Sequence, residues 1–268
     1  MKYLRALFFA LKEMILFYTT IRRRFDMFLY WYWTTKKNDS KNAINRFGEK
    51  YYSQNDEDGL TLEIIKRLDI TKGSFLEIGV GDGTENNTLI LLMSGWSGVW
   101  IDGNNLNYSF NDKLKFINKY VSPENIPYLI NSDKGFDFIS IDIDSFDFPI
   151  VRSLLENRIL PKIFVVEYNG KFPLPISYVY EGKDHSHFSD HMGASLQAFI
   201  DLFEIYKYKL LVCNITGINA FFIKEEYLNL FTDRPANLSD IFIVPDYNWF
   251  YKCGHMVSKE TINDFINK

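Results

Sequence analysis

At 268 residues the chain is long enough for one large α/β domain, alone or with an appendage, and it can bury a sizeable core without covalent staples. Its two cysteines, Cys213 and Cys253, exclude a disulfide scaffold and suit a reducing, cytoplasmic compartment. With 30 basic against 34 acidic residues the net charge is −4, so there is no overall basic field to recruit nucleic acid by counterion release, and no nucleic-acid partner is expected.

Residues 1–35 stand apart as apolar and aromatic with interspersed cations. Arg5, Lys12, Glu13 and the run Arg22, Arg23, Arg24 leave no uninterrupted stretch of the ~20 apolar residues that a bilayer span requires. A signal peptide is not expected either, because Lys12 and Glu13 interrupt the apolar region and no small-residue cleavage site follows. Leu4, Leu7, Phe8, Leu11 and Ile15 recur at helical spacing, which predicts an amphipathic helix with a basic edge. Its apolar face needs a cover. Three are open: the protein's own body, a second subunit in a homo-oligomer, or the plane of a membrane at its inner face, with "FLYWYW" (28–33) as aromatic anchor beside the arginines. The polar "KKNDSKN" that follows reads as a linker. The expected organisation is an N-terminal helical extension over 1–45, a main domain over 46–230 and a C-terminal extension over 231–268.

From there the pattern alternates. A helix is predicted over 58–68, a strand over 74–78, a helix over 86–93, and a second strand over 98–101 that ends on Asp102. A third strand over 115–121, a short helix over 124–131 and a fourth strand over 136–141 follow, then a helix over 150–157 and a fifth strand over 163–166 that ends on Glu167. Such alternation implies an α/β fold, a doubly wound parallel sheet whose ligands sit at the carboxyl ends of the strands. The last third breaks the rhythm. After a helix over 195–206, two β-rich runs, 209–213 and 220–224, are joined by "NITGIN" and read as an antiparallel hairpin at the sheet edge.

The first strand runs into "SFLEIGVGDGT". Its Glu77-x-Gly79-x-Gly81-x-Gly83 pattern lacks the GxGxxG spacing that brings a pyrophosphate onto a helix N-terminus. An acidic residue inside the turn is also the wrong sign for pyrophosphate, whereas it suits a cationic amino-acid moiety such as that of S-adenosylmethionine. The glycines allow close backbone approach, and Asp102 stands where a carboxylate accepts from ribose hydroxyls. The competing reading is a tight turn with Asp102 as a helix cap. "SQNDEDG" (53–59), ahead of the first core helix, reads as a capping segment whose acidic residues suit a helix N-terminus.

Together the element order, "EIGVGDG", the acidic ends of strands two and four and the terminal hairpin resemble a class I S-adenosylmethionine-dependent methyltransferase, with its Rossmann-like sheet. "SQNDEDGL", "LEIGVGDGTENNTLILLMSGWSGVWIDG", "FDFISIDIDSFDF", "VVEYN" and "GASLQAFIDLFEIYKYKLLVCNITGINAFFI" resemble a narrower FkbM-like group, several members of which occur with bacterial surface-glycan genes. The resemblance covers about residues 50–225. It implies that Glu77, Gly79 and Gly81 line the methionine part of the cofactor, Asp102 the ribose, and Ser122 or Glu124 the adenine edge. The acceptor it implies is a small molecule or a glycan-linked group of a surface polysaccharide.

"SIDIDSFD" puts Asp142 and Asp144 at the end of strand four, and "VVEYN" puts Glu167 and Asn169 at the end of strand five. Adjacent strands lie ~5 Å apart, so these oxygens converge, and a divalent cation would relieve their repulsion. Hard oxygen ligands select Mg²⁺ or Mn²⁺ over softer metals. The arrangement resembles metal-dependent O-methyltransferases, which implies Asp142, Glu167 and Asn169 as ligands and Asp144 as base. Tyr168 separates two residues that those relatives place side by side. The alternative is that no metal binds and Asp142 meets the cofactor's amino group. His185 and His187, in "DHSHFSDH", are further candidates for base or ligand. An NAD-dependent oxidoreductase and a non-catalytic scaffold remain as competing readings. The missing GxGxxG argues against the first, and retention of both the glycine turn and the strand-end carboxylates argues against the second.

Overall fold

The computed structural model describes residues 2–130, 135–143, 146–180, 190–248, 250–251 and 257–268, with side chains from residue 11 onward. Seven strands form one sheet: β1 (Ser74–Ile78), β2 (Ser97–Asp102), β3 (Leu114–Asn118), β4 (Phe138–Ile141), β5 (Ile163–Glu167), β6 (Tyr208–Cys213) and β7 (Asn219–Lys224), in the order β3-β2-β1-β4-β5-β7-β6. The first five are parallel, while β7 runs antiparallel to both β5 and β6. This is the doubly wound, Rossmann-like sheet, mostly parallel with an antiparallel edge hairpin, that the sequence predicts.

Strand residues alternate between two cores. Leu76, Ile78, Ile139, Ile141, Phe164 and Val166 face one side, among residues of α4 (Ile126–Leu129), α5 (Asp147–Glu156) and α6 (Leu196–Ile205). Phe75, Phe138, Ile163 and Val165 face the other, among residues of α2 (Glu57–Arg67), α3 (Leu89–Met93) and α7 (Lys259–Ile266). A sheet covered on both faces explains why its strands read as near-continuous apolar runs.

Some boundaries differ from expectation. Helix α1 (Lys2–Asp39) takes in most of the predicted linker. Nothing in "KKND" breaks a helix, cations suit its last turn, and the Lys37 ammonium is buried, donating to Gly48 O at 2.6 Å and Glu49 Oε1 at 2.9 Å. Trp33 and Leu29 of α1 pack with Ile215, Phe250 and Tyr251, which fastens the last turns of the helix to the domain. Helix α3 starts three residues later than predicted, because Asn87 and Thr88 serve a strand carboxylate. The third strand stops at Asn118 and α4 is a single turn.

Candidate functional site

The strand order reverses between β1 and β4, and the parallel chains there run outward in opposite crossover directions, leaving a crevice beyond their carboxyl ends. Gly79 leaves β1 with φ +87°, and a Cβ on it would lie 1.8 Å from the carbonyl oxygen of Asp142. Only glycine lets the ends of β1 and β4 approach this closely. Gly81 has φ +57° and nothing within 4 Å of where its Cβ would be, so its backbone faces open space. The Gly81 N–H donates to Asp102 Oδ2 at 3.0 Å, and the Asn104 N–H donates to Oδ1 at 2.7 Å. Asp102 thus ties the glycine turn to the end of β2.

Glu77 is buried at the base of the turn. Its carboxylate accepts from Asn87 N at 2.8 Å, Thr88 N at 2.9 Å and Thr88 Oγ1 at 2.5 Å, while Trp100 Nε1 donates to Thr88 Oγ1 at 2.9 Å. Glu77 therefore holds the segment after the glycines in place, besides lining the cleft. Burial pushes its pKa up to about 7 against the pull of these donors.

A second acidic group supports the same corner. Glu57 accepts from Asn214 Nδ2 at 2.6 Å, Asn219 Nδ2 at 3.0 Å and Asn55 N at 2.9 Å. Asp58 Oδ2 accepts from the N–H groups of Tyr51, Tyr52 and Ser53 at 2.6–2.7 Å, and Asp56 accepts from Ile215 N at 3.1 Å. The sequence predicts a cap on the helix N-terminus; instead Asp58 holds the 51–53 loop ahead of the helix. The segment also anchors α2 to the β6–β7 hairpin, and Asp56 at the helix N-cap makes no side-chain cap bond. Burial and the neighbouring Glu57 raise Asp56 to about 8, and burial raises Asp58 to about 6.

These shifts carry a sign. The folded carboxyls keep protons that the unfolded chain, with carboxyl pKa values near ~4, has released. Stability from this source is complete at acid pH and falls as pH rises through about 6 to 8. Thermal midpoints are expected to decline between about pH 5 and pH 8, a loss on the order of a few kcal/mol, and Asp56→Asn should flatten the curve. Melting scans across that range check it, and a midpoint that rises with pH would contradict the burial argument.

The cleft has a volume of about 760 Å³. Gly79, Gly81, Asp102, Glu77, Ser122 and Asp142 all line it, so the structure brings together the whole predicted cofactor set. Glu124 does not join them; it lies on a separate small cavity with Arg152. Sequence reasoning passed over Gln54, Asn86, Tyr120, Phe146, Met192 and Asn219, which complete the wall. Two of these carry orphaned polar atoms: Asn86 Nδ2 and Asn219 Oδ1 are buried with no partner. A ligand with both an acceptor and a donor would satisfy them.

Beside this cleft a second cavity of about 700 Å³ is lined by Glu167, Asn169, Lys171, Phe242, Pro245 and Tyr247, among others, and Met192 borders both. The predicted metal ligands therefore fall on different walls, Asp142 on the first cavity and Glu167 and Asn169 on the second. The Asn169 amide donates to Met192 O at 2.8 Å and Asp190 O at 3.0 Å and accepts from Lys171 N at 3.1 Å, closing the loop that follows β5. Among the described residues no three His, Cys, Asp or Glu side chains form a group that could hold a metal ion. Asp144, His185 and His187 lie outside the described residues.

No protein-family model matches the chain, and no curated protein matches it. Solved structures do. The MycE methyltransferase of the mycinamycin biosynthetic pathway, in complex with Mg, SAH and mycinamycin VI, aligns at 17% identity and TM-score 0.42 over 62% of this chain and 49% of its own. The chain thus spans about half the length of MycE. The SAH-bound Podospora anserina methyltransferase PaMTH1 aligns at 15% identity and TM-score 0.40, covering 73% of this chain and 87% of its own. An O-methyltransferase from Bacillus cereus in complex with SAH aligns at 15% identity and TM-score 0.38, covering 68% and 85%.

Proposed function

We propose that the chain is an S-adenosylmethionine-dependent methyltransferase that methylates an oxygen of an acceptor held in the second cavity. The observation that carries this reading is the charge of the first cleft. Asp102 and Asp142 line it, with Glu77 held at a pKa of about 7 and Glu85 paired to Lys50 Nζ at 2.8 Å, and Lys119 is the one cation among its described lining residues. Such a wall repels a pyrophosphate and suits a ligand that presents ammonium and sulfonium charges. The orphaned atoms fit the same ligand, Asn86 Nδ2 as a donor to a carboxylate and Asn219 Oδ1 as an acceptor.

In this reading Asp102 accepts from the ribose hydroxyls, Val121, Ile143 and Phe146 flank the adenine, and the bare backbone at Gly81 admits the methionine moiety. The cofactor, when bound, supplies an electrophilic methyl on a sulfonium. The chain's part is alignment and proton removal. Met192 sits where the two cavities meet, and of the three described carboxylates on the wall of the second, Asp147, Glu167 and Asp190, we assign Glu167, at the end of β5, to take a hydroxyl proton. No step here runs through a metal ion. The FkbM-like sequence pattern supports a glycan-linked acceptor of a bacterial surface polysaccharide, with the protein on the cytoplasmic side.

Calorimetry with S-adenosylmethionine and with NAD⁺ tests the cofactor. Binding of the first alone is expected, and Asp102→Asn should weaken it about 10- to 100-fold, the worth of a charge-assisted hydrogen bond. Binding of NAD⁺ with no response to S-adenosylmethionine would overturn the reading.

A further inference from the structure

Helix α1 leaves the domain on one side and keeps going. Every residue from 11 to 24 is exposed, and no described part of the chain covers this stretch. Met14, Phe17, Tyr18, Ile21, Phe25 and Phe28 recur at i, i+3, i+4, i+7, i+11 and i+14 and form one apolar stripe, each between 45% and 69% exposed. The stripe runs continuously into Leu29 and Tyr32, where α1 meets the domain.

By helical geometry Arg23 lies opposite the stripe, and Arg22 and Arg24 flank it. Ile15, Leu16 and Met27 are the apolar breaks outside the stripe, so the stripe is turned away from the predicted Leu4-to-Ile15 face. The charge is as uneven as the hydropathy. Positions 1–35 hold six basic and two acidic residues, a net of +4, against 24 basic and 32 acidic in the remainder. Tyr30 and Trp31, 56% and 63% exposed, stand at the domain end of the free stretch, where an amphipathic ring suits a headgroup boundary.

We infer that α1 lies in the plane of an anionic lipid surface, with the Met14-to-Phe28 stripe among the acyl chains and Arg22, Arg23 and Arg24 among the headgroups. None of the described helices is long and apolar enough to cross a membrane, so the contact is interfacial. A second copy of the chain fits this stripe less well. A two-fold pairing through the stripe is self-complementary, and it would bring the flanking Arg22 and Arg24, near the middle of the free helix, close to their own equivalents. The docking is rigid where the helix joins the body: Tyr32 Oη and Lys36 Nζ bond Asp246 at 2.5 and 2.7 Å. The next residue, Tyr247, lines both the second cavity and the crevice beneath Phe25 and Phe28. A membrane-bound α1 therefore holds the second cavity near the lipid surface. The inference does not depend on the methyltransferase reading.

Vesicle flotation of the full chain tests it, with phosphatidylcholine vesicles made with and without phosphatidylglycerol. Co-flotation is expected with the anionic vesicles, weakening as salt is raised. Replacing Arg22, Arg23 and Arg24 together by Glu should reduce partitioning by about a hundredfold or more, since each basic residue near such a surface contributes roughly a fivefold factor. The stripe variant Met14→Ser, Phe17→Ser, Ile21→Ser should also stay in the soluble fraction, and because these side chains are exposed its melting should match the parent. Brominated lipid should quench tryptophan emission, less so in Trp31→Phe. Failure to float, equal binding to neutral vesicles, or a dimer that ignores vesicles and is broken by the stripe variant would each overturn the proposal.

Discussion

Gly79→Ala is expected to destabilise the fold by about 3 kcal/mol or more, while Gly81→Ala, two residues on, should cost only about 1 kcal/mol and yet weaken cofactor binding about tenfold. Both glycines have positive φ, so each substitution carries the left-handed penalty for a residue with a Cβ. The difference is what the new methyl meets. At position 79 it lies 1.8 Å from a backbone carbonyl, that of Asp142, and the ends of β1 and β4 have to separate to admit it. At position 81 it meets nothing within 4 Å and projects into the cleft, where it takes up ligand space. Denaturant midpoints and calorimetry with S-adenosylmethionine on the two variants separate the effects. Equal stability losses would mean that the β1–β4 approach is not as close as described, and unchanged binding in Gly81→Ala would remove the turn from the cofactor site.

The sheet was legible in the sequence because its strands are buried on both faces. Apolar runs such as "SFLEI" and "IFVVE" can be located without knowing their partners, and β1 and β5 fall within a residue of expectation. The wall of the first cleft was legible for a related reason: in a parallel sheet, residues at strand ends become neighbours through topology alone, and Gly79, Asp102 and Asp142 needed nothing more. What stayed hidden depends on long-range hydrogen bonds. Glu57 reaches Asn214 and Asn219 across 157 and 162 residues, and nothing in "SQNDEDG" distinguishes that from a local cap. The second cavity is equally non-local. One wall is the stretch from Phe242 to Tyr247, held in place when Tyr168 Oη donates to Ile243 O at 2.9 Å and packed so close to Gly217 that a Cβ there would lie within 3 Å of the Ile243 carbonyl oxygen and Pro245. That stretch has neither helical nor strand periodicity, so its sequence carries no signal of where it goes. The converse error was the linker: "KKND" is polar enough to read as loop, but tertiary burial of Lys37 keeps it helical.

Glu77→Ala is expected to be among the most damaging single changes outside the apolar core, at about 3–5 kcal/mol. Three donors lose their acceptor at once. Asn87 N, Thr88 N and Thr88 Oγ1 are all buried, and each unsatisfied group costs about 1–3 kcal/mol. The sum is not reached, for two reasons. Removing a buried carboxylate also removes its desolvation penalty, the same burial that holds its pKa near 7. In addition the Thr88 hydroxyl can turn to another acceptor. Against that, Thr88 Oγ1 accepts from Trp100 Nε1, so the loss propagates along a chain of polarised bonds to a fully buried indole. Glu77→Gln should fall between, because one amide oxygen can still accept while the NH₂ group is set against N–H donors. The functional consequence follows from position. Asn86, which lines the cleft, sits immediately before the two residues that Glu77 holds, so a released 86–88 segment loses ligand binding as well as stability. Urea melts, near-ultraviolet dichroism of the tryptophan band and calorimetry with S-adenosylmethionine on both variants measure the three effects. A Glu77→Ala protein that unfolds within 1 kcal/mol of the parent and binds normally would show that the carboxylate lines the cleft without organising it.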